Sequence, residues 1–215
     1  MSLKLNIMEN NNFIITINRE FGTGGREVAQ KLGNLLGVKV YDKALLDALA
    51  EKFGMTEEEI EKAKSKKSNW WDEFYKQFGN AQKVNQKERV TSKEIYAAEE
   101  KILKEIAQRE SCVIVGRAGF KIFKDHPKSM KVLLIADDEA RVKRISETED
   151  LSMAEARRVV KEIDGERNKY IETFAGVSRY DARNYDFVLN VTNIPTYLVA
   201  VFLAQTIRMK FAKNA

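Results

Sequence analysis

The 215-residue sequence has one cysteine and one histidine. A lone cysteine excludes an intrachain disulfide, and Cys112 sits inside the apolar run CVIV, the setting of a buried structural thiol rather than a nucleophile. The lone histidine, His126, lies beside Pro127 in a polar connection, which argues against a His-built metal site or a serine-hydrolase triad. No apolar run reaches the roughly 18 residues a membrane span requires; residues 197–207 are the longest oily stretch. The N-terminal stretch MSLKLNIMENNN has no signal-peptide architecture, so a cytoplasmic protein with no membrane partner is expected. Chemistry must therefore run on Arg, Lys, Asp, Glu and backbone amides.

There is little imbalance of charge. The 37 basic residues are set against 32 acidic ones, a net charge of +5, and the two signs interleave, as in EEEIEKAKSKK. That pattern belongs to solvated helices and argues against a nucleic-acid stripe; arginines gathered in one cleft would instead suit a small anion. With 44% hydrophobic residues the chain can bury a sizeable core, and its length fits one domain with a small insertion.

Five short runs read as strands: residues 13–17 (FIITI), 38–41 (VKVY), 112–115 (CVIV), 131–136 (KVLLIA) and 187–191 (FVLNV). Nearly continuous apolar and β-branched residues mark strands buried on both faces of a parallel sheet. Helical patterns separate them. Val28, Leu32, Leu35 and Leu36 form one face, closed by Gly37. Ala44, Leu45, Ala48, Leu49 and Phe53 form another, and Thr56 with Glu59 reads as a capping box. Helices are also predicted over 92–110 and 137–147, and Ser152 with Glu155 caps a longer one. Pro195 falls in the first turn of a last helix whose Leu198, Val199, Phe202 and Ile207 should pack on the sheet. Alternating strand and helix predicts a three-layer α/β fold with right-handed crossovers.

The stretch EFGTGGRE, residues 20–27, joins the first strand to the first helix. Small residues at a helix N-terminus let successive amides converge on an anion. The NTPase pattern G-x-x-x-x-G-K-[ST] overlays residues 20–27, with Glu20 for the first glycine, Arg26 for lysine and Glu27 for the hydroxyl residue. The dinucleotide pattern G-x-G-x-x-G fails at position 27. Two readings stay open here: a phosphate loop with arginine in the lysine position, or a tight turn capping a helix.

Arg117 follows the third strand directly, where an open α/β sheet places its ligand crevice. Asp42 and Asp137 end the second and fourth strands in the same layer, as crevice carboxylates or as N-caps. Arg141, Arg144, Arg157, Arg158 and Arg167 follow on two helices, either as solvated ion-paired faces or as mobile cations that close on a phosphoryl group.

Taken in order, INREFGTGGREVA, VYDK, VIVGRA, DHPKSMKVLLIADDEARVKRI and DGERNKY resemble the P-loop nucleoside monophosphate kinases, and most closely the cytidylate kinase-like family, over roughly residues 13–208. The resemblance implies a single P-loop kinase domain over 1–215: a five-stranded parallel sheet, a monophosphate-binding helical insertion at about 54–109 and a helical lid at about 150–178. It implies ATP as donor with Mg²⁺, a nucleotide acceptor such as CMP or dCMP, and a monomer or homodimer. Gly22, Thr23, Gly24, Gly25, Arg26 and Glu27 would hold the donor phosphates, with Glu27 at the metal. Asp42 and Arg117 would bind the acceptor; Arg26, Arg141 and Arg167 would be the catalytic cations. The chain departs from cytidylate kinases in having Gly25-Arg26-Glu27-Val28 for G-K-[GS]-T, Asp42-Lys43-Ala44 for D-S-G and Gly116-Arg117-Ala118 for G-R-D. It resembles a divergent branch carrying R-E-F-G-x-G-G-R-E. A catalytically silent nucleotide-binding regulator, or a kinase for another small acceptor, is the alternative. Trp70, Trp71, Phe74, Tyr75 and Phe78 would stack a base or form the insertion's own core.

Overall fold

The computed structural model describes residues 12–42 and 92–211. The chain divides into two units, Met1–Asp42 with Lys104–Ala215 and Lys43–Leu103, and the sheet belongs wholly to the first. The helix expected over residues 44–53, the capping box at Thr56, the aromatic cluster at 70–78 and most of the 54–109 insertion lie outside the described residues.

Five strands form one all-parallel sheet: β1 (Ile14–Arg19), β2 (Lys39–Tyr41), β3 (Cys112–Val115), β4 (Ser129–Ile135) and β5 (Phe187–Asn190). Their spatial order is β2-β3-β1-β4-β5, so β1 lies at the centre between β3 and β4. Among the described residues the helices are α1 (Gly25–Leu36), α2 (Ser92–Arg109), the short α3 (Gly119–Ile122), α4 (Asp138–Glu149), α5 (Met153–Ala175) and α6 (Thr196–Phe211).

The two-sided burial expected of a parallel sheet is present: every residue of β1 and β3 is buried. Ile15, Ile17, Val113, Val115, Val132 and Leu134 point to one face, where they meet Val28 and Leu32 of α1 and Val199, Leu203 and Ile207 of α6. On the other face α3 sits against β1 and β3, close enough that a Cβ on Gly119 would meet Thr16 Cγ2 at 3.1 Å. The result is a three-layer α/β fold, with the ends of β1, β2, β3 and β4 opening on one side.

The expectation for α6 is corrected at Leu198, which is 54% exposed. Val199 and Ile207 are buried, and Phe202, though 45% exposed, meets Phe187 of β5 edge-on with ring centroids 6.0 Å apart. The sheet-facing stripe is Val199, Ala200, Leu203, Ala204 and Ile207. A helix apolar nearly all round gives no phase from sequence, and the small alanines let it approach α1 closely. Among the described residues no helix is long and apolar enough to cross a membrane.

Candidate functional site

The glycine run forms a left-handed turn feeding a helix. Gly22 has φ +85° and Gly24, the N-cap of α1, has φ +73°; both are conformations that disfavour a side chain. Space adds a second constraint, since a Cβ at Gly22 would lie 2.7 Å from the Arg141 carbonyl oxygen. Thr23 is buried and donates its hydroxyl to the Glu20 carbonyl at 2.9 Å, which closes the turn. Gly25 opens α1, whose N-terminal amides face the crevice beyond β1.

One strand over, three successive residues after β3 are left-handed: Gly116 (φ +78°), Arg117 (φ +56°) and Ala118 (φ +51°). For arginine and alanine this backbone costs about 1–2 kcal/mol each, and such strain concentrates at ligand sites. Between this turn and the glycine loop runs Arg19, the last residue of β1. A Cβ at Gly25 would meet Arg19 Cγ at 2.8 Å, and one at Gly116 would collide with Arg19 Nη1. The two glycines thus form the slot in which Arg19 lies, 7% exposed. Burial lowers its pKa to about 10; the nearby carboxylate of Asp42 opposes the shift, and the charges of Arg117, Arg179 and Arg26 add to it. Asp42 itself is buried just after β2, its Oδ2 3.2 Å from Arg26 Nε. Arg19, Arg26, Asp42 and Arg117 are therefore brought together at one end of β2, β3 and β1, with Arg26 leaning toward the β2 side.

The arginines of the α4–α5 hairpin are organised differently. Asp164, in mid-α5, accepts the Phe21 amide at 2.9 Å, Arg141 Nη1 at 2.5 Å and Arg179 Nη2 at 2.9 Å. Arg141 is buried and also reaches Asp138, Glu20 (3.5 Å) and the carbonyls of Phe21 and Ala136, both at 3.1 Å. Burial alone would depress its pKa, but these acids carry it above the ordinary value. Arg167 donates to the Arg19 carbonyl at 3.1 Å and lies over the Phe21 ring, 5.4 Å from its centroid. Both expected cations thus grip the glycine loop's own backbone and side chains. Asp164 opens the stretch DGERNKY, i,i+3 to Arg167, but that stretch does not reveal its partners Phe21, Arg141 and Arg179, and the fully buried Arg179 lies in none of the motifs.

Asp137 occupies the N-cap of α4, with no side-chain capping bond. On the outer side of the loop, Glu27 lies in the first turn of α1. Its carboxylate is 2.7 Å from Lys31 Nζ and 3.6 Å from Arg144 Nη1. The hydrogen bond from Lys31, with help from Thr196 and the Arg144 charge, holds the Glu27 carboxyl below its ordinary range. Lys31 also donates to Thr196 Oγ1 at 3.0 Å. A Cβ at Gly24 would collide with Arg144 Nη1 and stand 2.8 Å from Thr196 Cγ2, so the guanidinium rests directly on the loop. These residues do not fit a protein-held metal: the one carboxylate in the register of the magnesium-binding hydroxyl is engaged by two cations, and among the described residues no three acidic, His or Cys groups converge.

Known proteins place this architecture. Among solved structures, an uncharacterized protein from Eubacterium ventriosum ATCC 27560 is 23% identical, with 91% of this chain and 98% of that chain covered and a TM-score of 0.67. Shikimate kinase from Acinetobacter baumannii, in complex with shikimate, is 14% identical over 95% of this chain and 97% of that chain, TM-score 0.52. Shikimate kinase from Bacteroides thetaiotaomicron is also 14% identical, over 94% and 99%, TM-score 0.52. At these identities the likeness is one of fold. Among curated proteins nothing matches the sequence. The sequence profile of the cytidylate kinase-like family matches residues 14–193, and the chain belongs to that family.

Proposed function

We propose that this protein transfers the γ-phosphoryl group of ATP to a nucleoside monophosphate, CMP or dCMP. The supporting observation is the pairing of two left-handed turns at the ends of adjacent strands: the glycine loop after β1, and Gly116-Arg117-Ala118 after β3. The loop and the N-terminus of α1 receive the donor phosphates. Arg117, with Asp42 and Arg26 beside it, receives the acceptor phosphate. An acceptor phosphate oxygen then attacks the γ-phosphorus, the bond to the β–γ bridging oxygen breaks, and ADP leaves. Such a reaction asks the protein chiefly for positioning and positive charge. ATP enters with Mg²⁺ in this reading; no step is routed through a protein-bound metal, because Glu27 is taken by Lys31 and Arg144.

A coupled ADP-release assay with ATP and a panel of nucleoside monophosphates, shikimate and other small alcohols tests it. CMP or dCMP turnover is expected, and no turnover with any acceptor sinks the proposal. Arg117→Ala should raise the acceptor KM by tenfold or more, since a hydrogen bond to a charged group is worth about 1.5–3 kcal/mol. A second reading is a nucleotide-binding regulator without catalysis. It is favoured by Arg141, whose guanidinium is spent on Asp138, Asp164 and two carbonyls. Nucleotide binding without turnover, unchanged by Arg117→Ala, would select it.

A further inference from the structure

The least expected residue of the loop is Glu27, an acid where phosphate loops carry a hydroxyl that ligates magnesium. We propose that Glu27 is a positioning residue for Arg144, and that the Arg144 guanidinium supplies, over the glycine loop, the donor-phosphate charge that lysine and loop-bound metal supply elsewhere. The inference rests on the proposed binding of ATP at the loop and gives Arg144, one of several arginines that follow β4, a specific place in it.

Three observations carry it. First, Arg26 holds the lysine position in sequence but its Nε faces Asp42 at 3.2 Å, beyond β2. Its charge is therefore directed to the side of the site where Arg117 lies. Second, Arg144 arrives from α4 on the opposite side and packs onto Gly24, the N-cap of α1, at the place where a side chain at position 24 would stand. The guanidinium thus adds its charge to the positive end of α1. Third, Glu27 holds Arg144 from below at 3.6 Å while Lys31, one turn along α1, holds Glu27 at 2.7 Å and is itself tied to Thr196 at the start of α6. The order Lys31–Glu27–Arg144 leaves the two cations outnumbering the carboxylate, and the cation nearer the loop is the arginine.

The side chain is also suited to the task. The Arg144 side chain is 38% exposed beside the glycine loop, and guanidinium binds phosphate oxygens through a planar fork without coordination chemistry. A glutamate at position 27 is then intelligible: it is wrong for cradling an anion by itself and right for fixing an arginine that does so.

Calorimetric titration of ATP into the full chain, once with Mg²⁺ and once in excess EDTA, separates this from a metal-ligand role. The wild type is expected to keep ATP affinity in EDTA within a few-fold of its value with Mg²⁺. Arg144→Ala should lose at least tenfold under both conditions, Arg144→Lys should recover part of the loss, and Glu27→Gln should weaken both titrations equally. Arg26→Ala should leave ATP affinity within a few-fold. A Glu27→Gln loss confined to the Mg²⁺ titration would overturn the inference, because that is the signature of a metal ligand. So would loss of ATP binding in Arg26→Ala with retention in Arg144→Ala. Thermal melts of each variant separate lost binding from lost folding; Arg144→Lys, the conservative change, carries the test if Arg144→Ala melts early. A wild type that binds ATP in neither condition overturns the proposed ATP binding itself, whereas intact binding in all the variants overturns only the role given to Arg144.

Discussion

Asp164 shows how much can rest on one side chain whose partners the sequence does not announce. It sits on a helix remote in sequence from the glycine loop, yet its two oxygens collect the Phe21 amide, Arg141 and Arg179. The arginines of the hairpin are legible because arginine spacing after a strand is a visible pattern. Their partner is not, since an aspartate in a charged helix looks like any solvated acid until the helix is docked. Removing it would strand cations in the interior, Arg179 being 0% exposed at its side chain. Breaking a buried pair from one side costs about 3–5 kcal/mol. Asp164→Ala should therefore lower unfolding free energy in urea by that order. Asp164→Asn should lose less, because its amide oxygen still accepts from Phe21 N. A loss below about 1 kcal/mol for the alanine variant would show that the loop and α5 are held by packing alone. The glycines illustrate the reverse case. Their spacing is plain in the sequence, but its causes are neighbours distant along the chain: Arg141 against Gly22, Arg144 against Gly24 and Arg19 against Gly25 and Gly116.

At the level of elements, local signals are reliable where they are complete in themselves. The start of α5 is such a case: Ser152 Oγ accepts the Glu155 amide at 3.3 Å and Glu155 Oε2 accepts the Ser152 amide at 3.0 Å. Both orphan donors are answered within four residues, so the sequence contains the whole structure of the cap. Ser152→Ala should cost about 1 kcal/mol, while Ser152→Asn should restore most of it. Equal melting temperatures for wild type and Ser152→Ala would mean the α4–α5 junction is set by its own small core of Val142, Ile145, Ala156 and Val160 instead. Strand cores are equally legible, with β3 matching over Cys112–Val115. Ends are not: β1 runs two residues further than its apolar run, to Arg19, because pairing with Leu134 of β4 extends the ladder. The face of α6 is also hidden, for lack of any polar stripe to set its phase.

At the scale of the molecule, alternation of strands and helices gives the fold class, while the strand order cannot be read from it, since pairing is decided by which elements pack across the sheet. That order, with β1 central, is what sets the glycine loop beside the Arg117 turn and so makes one site of two separate motifs. The integrity of this central sheet can be followed through its single thiol. Cys112 is fully buried on β3, paired with Ile14 of β1 and Lys39 of β2. Burial, with a smaller contribution from Glu110, raises its pKa from an ordinary 9.0 to about 12. The thiol therefore ionises in the unfolded chain first. Its contribution to stability is intact below pH 9 and is lost as pH rises through the window up to about 12. By about pH 10.5 this single group should account for roughly 2 kcal/mol of lost stability, at about 1.4 kcal/mol per pH unit. Cys112→Ala should accordingly show a shallower fall in urea-unfolding free energy between about pH 8 and about pH 10.5. Parallel falls for the two proteins would mean that Cys112 ionises as readily in the folded sheet as in the unfolded chain, and that β3 opens independently of the rest.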